Sequence, residues 1–533
     1  MTKQRLILFF PAVLLLLLAC QLSSVRLPGE TAVTNRSNTL VLFGSQPRTL
    51  DPAKTLAGPD GPVGHIFSGL VMLNPGLQIE PDLAAGWQIS DDGLVYTFYL
   101  RKNAVFHDGR PVLAEDVIAS WERATDPATG SDTAATYLND IEGVAEKLNG
   151  TAVTIRGLRA VDDHTLEVHL NRPVVYFLGK LAFPVAYVVD TTQTDQPNWE
   201  RQPNGTGPFK LKRWVDDSIL ELTRFDLYYN TPAQIDGVVY QLGPGLPLAM
   251  YQQDEIDLVG IGGDNLAQAL DHNNPLSAEL QTAVSMCTST IGLNNRLPPF
   301  DDVRVRQAFN YALDKELLAR TFGSGMAITA KGPLPPGMPG FNSDLTGYPF
   351  DPARARALLA EAGYDDPAKM PLLTYTTSGY GDVGPFVTAV ITMWQENLGV
   401  TIEPETIDPF EYYNELFSGK MGHFFDSGWC ADYPDPQNFL DILYQSNSQQ
   451  NLSGYASPQL DALLAKAAVE TDVAERLRLY GEAEKMVTEG APVVFLSHSV
   501  TAVLVKPRVQ NYHLTPIGIP QWHRISLTTT ADN

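Results

Sequence analysis

The chain predicts an α/β protein of more than one domain, and three observations carry that reading. Short β-branched and aromatic runs alternate with segments of helical spacing from end to end, the pattern of α/β architecture. Several helical segments open on a Ser or Asp cap followed by Pro, and so have defined starts. The length, 533 residues with 44% hydrophobic content, is enough for two to four domains and a large core.

In chain order, Lys3 and Arg5 precede an apolar run from Leu6 to Ala19. That run is too short to span a bilayer comfortably and reads as an export signal. It ends in Leu17-Leu18-Ala19-Cys20, which resembles the lipoprotein signal box in which the Cys becomes the lipidated first residue. An ordinary secretory signal containing a Cys is the alternative. Residues 1–20 are thus expected to be a lipoprotein signal peptide and 21–37 a polar tether. No later stretch is long and apolar enough for a membrane span.

Thr39 to Phe43 is a strand by composition, and a loop from Gly44 to Pro52 follows. Asp91-Asp92-Gly93 is a turn leading into a strand from Val95 to Leu100. Ala114 to Trp121 has helical spacing, and Thr165 to Leu170 alternates like a half-buried strand. Asn204-Gly205-Thr206-Gly207-Pro208-Phe209 is a glycine loop with no Lys-Ser/Thr ending, so it is not read as a phosphate cradle. Asp351-Pro352 opens a helix that Gly363 closes, Ser457-Pro458 and Asp472 open two more, and Val493 to Leu496 is a buried strand.

The formal charge of −24 argues against nucleic acid and anionic membrane as partners. There is no His-Glu-x-x-His, Gly-x-Ser-x-Gly or Walker loop, and the nine histidines are scattered, so no metal or cofactor site is expected. After Cys20 only Cys287 and Cys430 remain. An even pair in an exported chain reads as a disulfide, with two buried thiols as the alternative.

The stretch from Gly428 to Pro436 is the most distinctive. Gly428, Trp429, Cys430 and Asp432 follow the apolar pair Phe424-Phe425, so Asp432 is expected where a strand leaves the core. A carboxylate beside Trp and Tyr rings suits an amine; a solvated Asp-Pro turn is the bland alternative.

Several segments together resemble the extracytoplasmic solute-binding proteins of ABC transporters, in the family that includes oligopeptide and dipeptide binders. They are Leu50-Asp51-Pro52, Pro81-Asp82-Leu83-Ala84, Thr97 to Lys102 with Phe106-His107-Asp108-Gly109, Ala114 to Val117, Gly205 to Phe209, and Pro298 to Ala308. The likeness implies a two-lobed periplasmic-binding-protein-like fold (type II, hinged lobes) with an additional domain. Lobe I would be 38–58, 186–286 and 501–533, the extra domain 59–185, and lobe II 287–500.

Within that family, Gly428 to Tyr433 is similar to the oligopeptide binders. The resemblance implies that Asp432 pairs with a peptide's α-amino group, that Cys430 is disulfide-bonded, and that the adjoining backbone pairs with an extended peptide. It implies a second strand-like contact at Leu56, Ala57 and Gly58, and it puts Phe410 where the family has a Trp. The positions aligned with the family's carboxylate-binding bases are Gly323, Val383, Phe417 and Asp426, none of them basic. Lys331, longer ligands or non-peptide ligands are the ways around that departure.

The expectation is therefore a non-enzymatic, monomeric, lipid-anchored receptor that delivers peptides to an ABC permease and ATPase, outside the cytoplasm at the cell surface or in the periplasm. The rivals are the same fold with another solute (a nickel complex, heme, an opine or an oligosaccharide) and a secreted hydrolase. Metabolic labelling with a lipid precursor should tag the protein, and Cys20→Ser should abolish the tag. A tag that survives the change rejects the lipoprotein reading.

Overall fold

The computed structural model describes residues 37–56, 58, 61–323 and 326–528, with backbone alone at 410 and 413. Cys20, the tether up to residue 36 and Ala57 lie outside the described residues.

The first strand, β1 (Thr39–Phe43), has the predicted bounds. A four-stranded antiparallel sheet follows, built from β2 (Ala84–Ile89), β3 (Val95–Leu100), β4 (Leu158–Asp162) and β5 (Thr165–His169) in the order β2-β3-β5-β4. In strand β3 Tyr96, Phe98 and Leu100 are buried and Tyr99 is exposed, so one face packs and the other meets water. Helix α1 (Ala114–Ala124) lies against this sheet and runs three residues beyond its predicted end. Its Asp116 carboxylate accepts from the Leu113 N–H at 2.8 Å, and buried Trp121 donates Nε1–H to Ala186 O at 2.9 Å.

The glycine loop turns out to serve close packing. A Cβ on Gly205 would sit 2.0 Å from Ile66 O, so only glycine lets the two backbones meet. The Gly205 carbonyl accepts from the His107 N–H, and the loop feeds β6 (Phe209–Val215).

The large sheet continues with β7 (Ile219–Arg224), β8 (Gly237–Gln241), β9 (Leu258–Gly260) and β10 (Leu280–Leu293). It then takes in β11 (Leu373–Ser378), β12 (Ile402–Ile407), β13 (Phe424–Cys430) and β14 (Val493–Val505). Its order is β12-β11-β13-β10-β14-β9-β1-β8-β7-β6, with a short strand at Ile328–Thr329 on β14. Strands β10 and β14 are its two long members, paired antiparallel along most of their length. Strand β14 is 13 residues long and not the short run predicted. It continues past Leu496 because Ser497 and His498 still pair with β10, and Val503 to Val505 pair with β9.

Helices α2 (Val303–Tyr311), α3 (Lys315–Phe322), α4 (Pro352–Glu361), α5 (Pro385–Leu398) and α6 (Pro409–Ser418) surround one end of this sheet. Helices α7 (Gln437–Tyr444), α8 (Pro458–Val469) and α9 (Val473–Gly490) follow β13. Three predicted caps form: Asp351 accepts from Arg354 N, Ser457 from Leu460 N and Asp472 from Glu475 N. Gly363 follows α4 at φ +95°, a conformation that favours glycine.

The buried apolar residues form separate clusters. One gathers Phe98, Phe106, Trp121, Phe177 and their neighbours from the four-stranded-sheet region. Another gathers Phe309, Tyr375, Trp394 and Phe424 under α2 and α5, and a third Leu40, Phe209 and Val238 around β1 and β8. Tyr433 belongs to the first cluster although it lies some 250 residues further along the chain.

Cys287 and Cys430 form a disulfide between directly opposite residues of β10 and β13. It closes a sequence separation of 143 residues, for which the chain-entropy model gives about 5 kcal/mol. Denatured, non-lipidated Cys20→Ser protein should titrate no free thiol before reduction and two after it. Two thiols before reduction would refute the bond.

Candidate functional site

Strand β13 pairs with β10 along its whole length, from Phe424–Leu293 to Cys430–Cys287. On its other side β11 reaches only Phe424 and Phe425. Antiparallel ladders alternate, and the bonds Asn294 N–His423 O and Ala431 N–Met286 O fix the phase. Ser427 and Trp429 therefore bond to β10, whereas the backbone groups of Asp426, Gly428 and Cys430 face the opposite edge. Tyr412 Oη donates to Asp426 O at 2.8 Å. The groups of Gly428 and Cys430 remain as a short, unoccupied sheet edge among the described residues.

A cavity of about 390 Å³ opens beside that edge. Its walls include Tyr412, Phe417, Phe425, Trp429 and Phe439, and Asp426 is the one charged residue among them. A second cavity of about 280 Å³ shares Thr290, Asp426 and Ser427 with the first and adds Lys315, Phe322 and Gly323. The Asp426 carboxylate accepts from Tyr375 Oη at 2.8 Å and Thr377 Oγ1 at 2.5 Å. Burial and the Asp426 charge together hold the Tyr375 hydroxyl well above its usual range. Lys315 is buried, its Nζ donates to Asn310 Oδ1 at 3.0 Å, and burial pushes the ammonium down to about 7.

Asp432 stands two residues beyond the end of β13. Its Oδ2 accepts from Tyr137 Oη at 2.6 Å and from Asn438 Nδ2 at 3.0 Å. Asn438 is fully buried, and its Oδ1 accepts from both the Asp432 N–H and Trp429 Nε1. One amide thus fixes both the carboxylate and the indole. Next door, the Tyr433 ring lies parallel to Tyr176 at 6.4 Å, and a Cβ on Gly179 would come within 3.1 Å of Tyr433. The region that carries Tyr137, Tyr176 and Gly179 is therefore packed onto the end of β13.

Below this contact Asp435 takes two bonds from Arg476, at 2.9 and 2.7 Å. Asp441 is 6% exposed, and its Oδ2 has no hydrogen-bond partner among the described residues. Burial, with the Asp435 charge adding to it, pushes this carboxyl up to about 8. Glu484, buried near Gly332, is likewise pushed up to about 8 by burial.

The structure places Asp426, Gly428 and Cys430 on the open edge of β13, Trp429 between them and Asp432 just beyond its end. Leu56 is exposed and Gly58 half-buried, and no hydrogen bond or ring contact joins either to β13 among the described residues. Ala57 and the side chain of Phe410 lie outside the described residues. Of the positions that lack a base, Phe417 lines the larger cavity, Gly323 the smaller, and Val383 packs on the α2–α5 core. Lys331 lines neither cavity; its Nζ is directed to Ser343 O at 3.4 Å. Sequence reasoning missed Asn438 and Tyr137. An Asn in the first turn after Pro436 was a weak local signal for the first, and nothing local marked the second.

Comparison with known proteins places the geometry in a family. The description "Bacterial extracellular solute-binding proteins, family 5 Middle" matches residues 78–451. The chain is 33% identical to periplasmic oligopeptide-binding protein OppA of Escherichia coli (strain K12) over 88% of each chain. It is 29% identical to heme-binding protein A of Haemophilus influenzae over 98% of this chain and 99% of that one. The structure of the E. coli murein tripeptide binding protein MppA overlays it with a TM-score of 0.81 at 28% identity, covering 92% of this chain and 99% of that one. The unliganded open form of MppA, also 28% identical, gives 0.70 over 92% and 98%. The fold is thus the two-lobed one of these binding proteins, in an arrangement nearer the first MppA structure than the open form.

Asp441 supplies a pH test. Burial pushes its carboxyl up to about 8, far above the ordinary range of an Asp, so between that range and 8 the native state holds a proton that the unfolded chain has lost. Stability should fall as pH rises through that window. Asp441→Asn should reduce the slope of thermal stability between about pH 5 and 8, and Glu484 should keep part of it. An unaltered slope in the variant would show that Asp441 is not the proton carrier.

Proposed function

Because the chain belongs to the bacterial extracellular solute-binding proteins, family 5, we propose that it captures peptides outside the cytoplasm and delivers them to an ABC permease and ATPase. The observation that carries this reading is the free edge of β13, bounded by Asp432 at one end and the aromatic cavity at the other. An extended peptide completes such an edge through main-chain bonds that are blind to sequence, while pockets beside it select side chains. Gly428 and Cys430 supply those bonds, with Trp429 held by Asn438 between them.

Asp432 is the anchor for the peptide's ammonium. A buried ammonium must be paired, and a carboxylate gives a charge-assisted bond. Tyr137 and Asn438 already hold Oδ2 in place, so little side-chain freedom is lost when the ligand arrives. Leu56, Ala57 and Gly58 supply the backbone contact across the ligand, and Phe410 a ring beside it. The receptor acts as a non-enzymatic monomer with lobes of the extents expected from sequence, and the lipid on Cys20 keeps it near its permease.

A second reading keeps the fold and changes the solute to a nickel complex, heme, an opine or an oligosaccharide. The aromatic cavity walls and the heme-binding relative favour heme among these. Native mass spectrometry of the purified protein separates the two readings, since a ladder of peptide masses belongs only to the first.

Removing one partner of a buried ion pair costs roughly 3–5 kcal/mol, or about two to four decades of affinity. Asp432→Asn should therefore weaken peptide binding by about that much in titration calorimetry, and N-acetylated peptides should bind the parent protein poorly. If acetylation costs nothing, Asp432 is not the amine anchor.

A further inference from the structure

We propose that Asp426 forms a second cation subsite, so that the bound peptide places a basic side chain, lysine or arginine, over Asp426 while its terminal ammonium sits at Asp432. This inference rests on the peptide reading above and narrows its ligand class.

Asp426 lines both cavities at the ligand edge and is, among the described residues, the one charged residue lining the larger. Its carboxylate has only neutral donors, the hydroxyls of Tyr375 and Thr377. No Lys, Arg or His lies within ion-pair distance of it among the described residues. The smaller cavity does contain a base, Lys315, but its Nζ is committed to Asn310 Oδ1 and not to Asp426. A half-buried carboxylate without a counter-ion is a costly arrangement unless something else brings the charge.

The walls suit a cation for a second reason. Tyr412, Phe417, Phe425 and Trp429 line the larger cavity, and cations are attracted to aromatic rings. A ligand carboxylate would meet the opposite: like charge at Asp426 and no lining base in the larger cavity. The chain's net charge of −24 also draws cationic ligands toward it. Asp426 and Asp432 stand six residues apart, so an extended chain separates them by at most about 20 Å. A peptide anchored by its ammonium can therefore reach Asp426 with a side chain from among its first six residues.

The test is a scan of alanine hexapeptides carrying lysine, norleucine or glutamate at each of positions 2 to 6, titrated against the parent and Asp426→Asn proteins. Norleucine matches the lysine stem without its charge. At one or two positions lysine should bind the parent about tenfold or more tighter than norleucine, and glutamate should bind weaker than either. The lysine advantage should collapse in Asp426→Asn. The advantage in the parent should also shrink as salt is raised, which tests the charge without any substitution should the variant fold poorly. Equal binding of lysine and norleucine peptides at every position overturns the subsite and leaves peptide capture standing. So does an advantage undiminished in the variant. If no hexapeptide binds the parent, peptide capture itself falls and the subsite falls with it.

Discussion

Backbone groups at the end of β13 face away from the sheet, and much of the surrounding structure keeps them that way. Gly428 and Cys430 are exposed, so water satisfies their edge groups, and the edge stays open only because no further strand covers it. Strand β10 fixes the phase of the ladder on one side. Strand β11 stops pairing after Phe425, and the Tyr412 hydroxyl satisfies the Asp426 carbonyl, which leaves the edge at Gly428 and Cys430. The disulfide sits at a non-hydrogen-bonded pair, where opposed side chains are nearest, and so clamps the strand without using an edge group.

At the end of this edge the polar groups are connected and not merely buried. Asn438 joins Asp432 to Trp429, and Tyr137 joins Asp432 to a region of the chain that is 295 residues away. Parallel stacking of Tyr176 and Tyr433 and the Arg476–Asp435 pair extend the contact. A network of this kind is favourable when its members are satisfied and costly when one is not. Tyr176 Oη, Arg476 Nε and Asp441 Oδ2 have no partner among the described residues, and the raised titration of Asp441 answers that cost by keeping the group neutral.

Legibility in the sequence followed the range of the interaction. Caps at Asp351, Ser457 and Asp472 were readable because the cap and the N–H that donates to it lie within three residues of each other. The alternation in β5 was readable because Leu166 and Val168 are buried between partly exposed neighbours. The continuation of β14 past Leu496 was not, because polar Ser497 and His498 break the apolar run and only pairing with β10 keeps them in the strand. Asp426 and Asp432 could be picked out, but not the hydroxyls that hold them. Tyr137 is distant in sequence from Asp432, and Tyr375 and Thr377 lie some fifty residues from Asp426.

The register of β10 against β14 shifts at two neighbouring places, between Val284 and Thr288 and between Ser289 and Thr290. Val284 opposes Val500 and Thr288 opposes His498, so three residues of β10 face one of β14 between them. Cys287 lies inside that interruption, and its disulfide ties β13 to the same spot. A two-stranded ribbon bends where its rungs are missing, because only there does curvature break no hydrogen bonds. The ladder is thus thinnest between Val284 and Thr290, like the scored line across a sheet of folded card. The open end of β13 is fastened to the middle of that crease through Cys430, so a bend there would be passed directly to the edge.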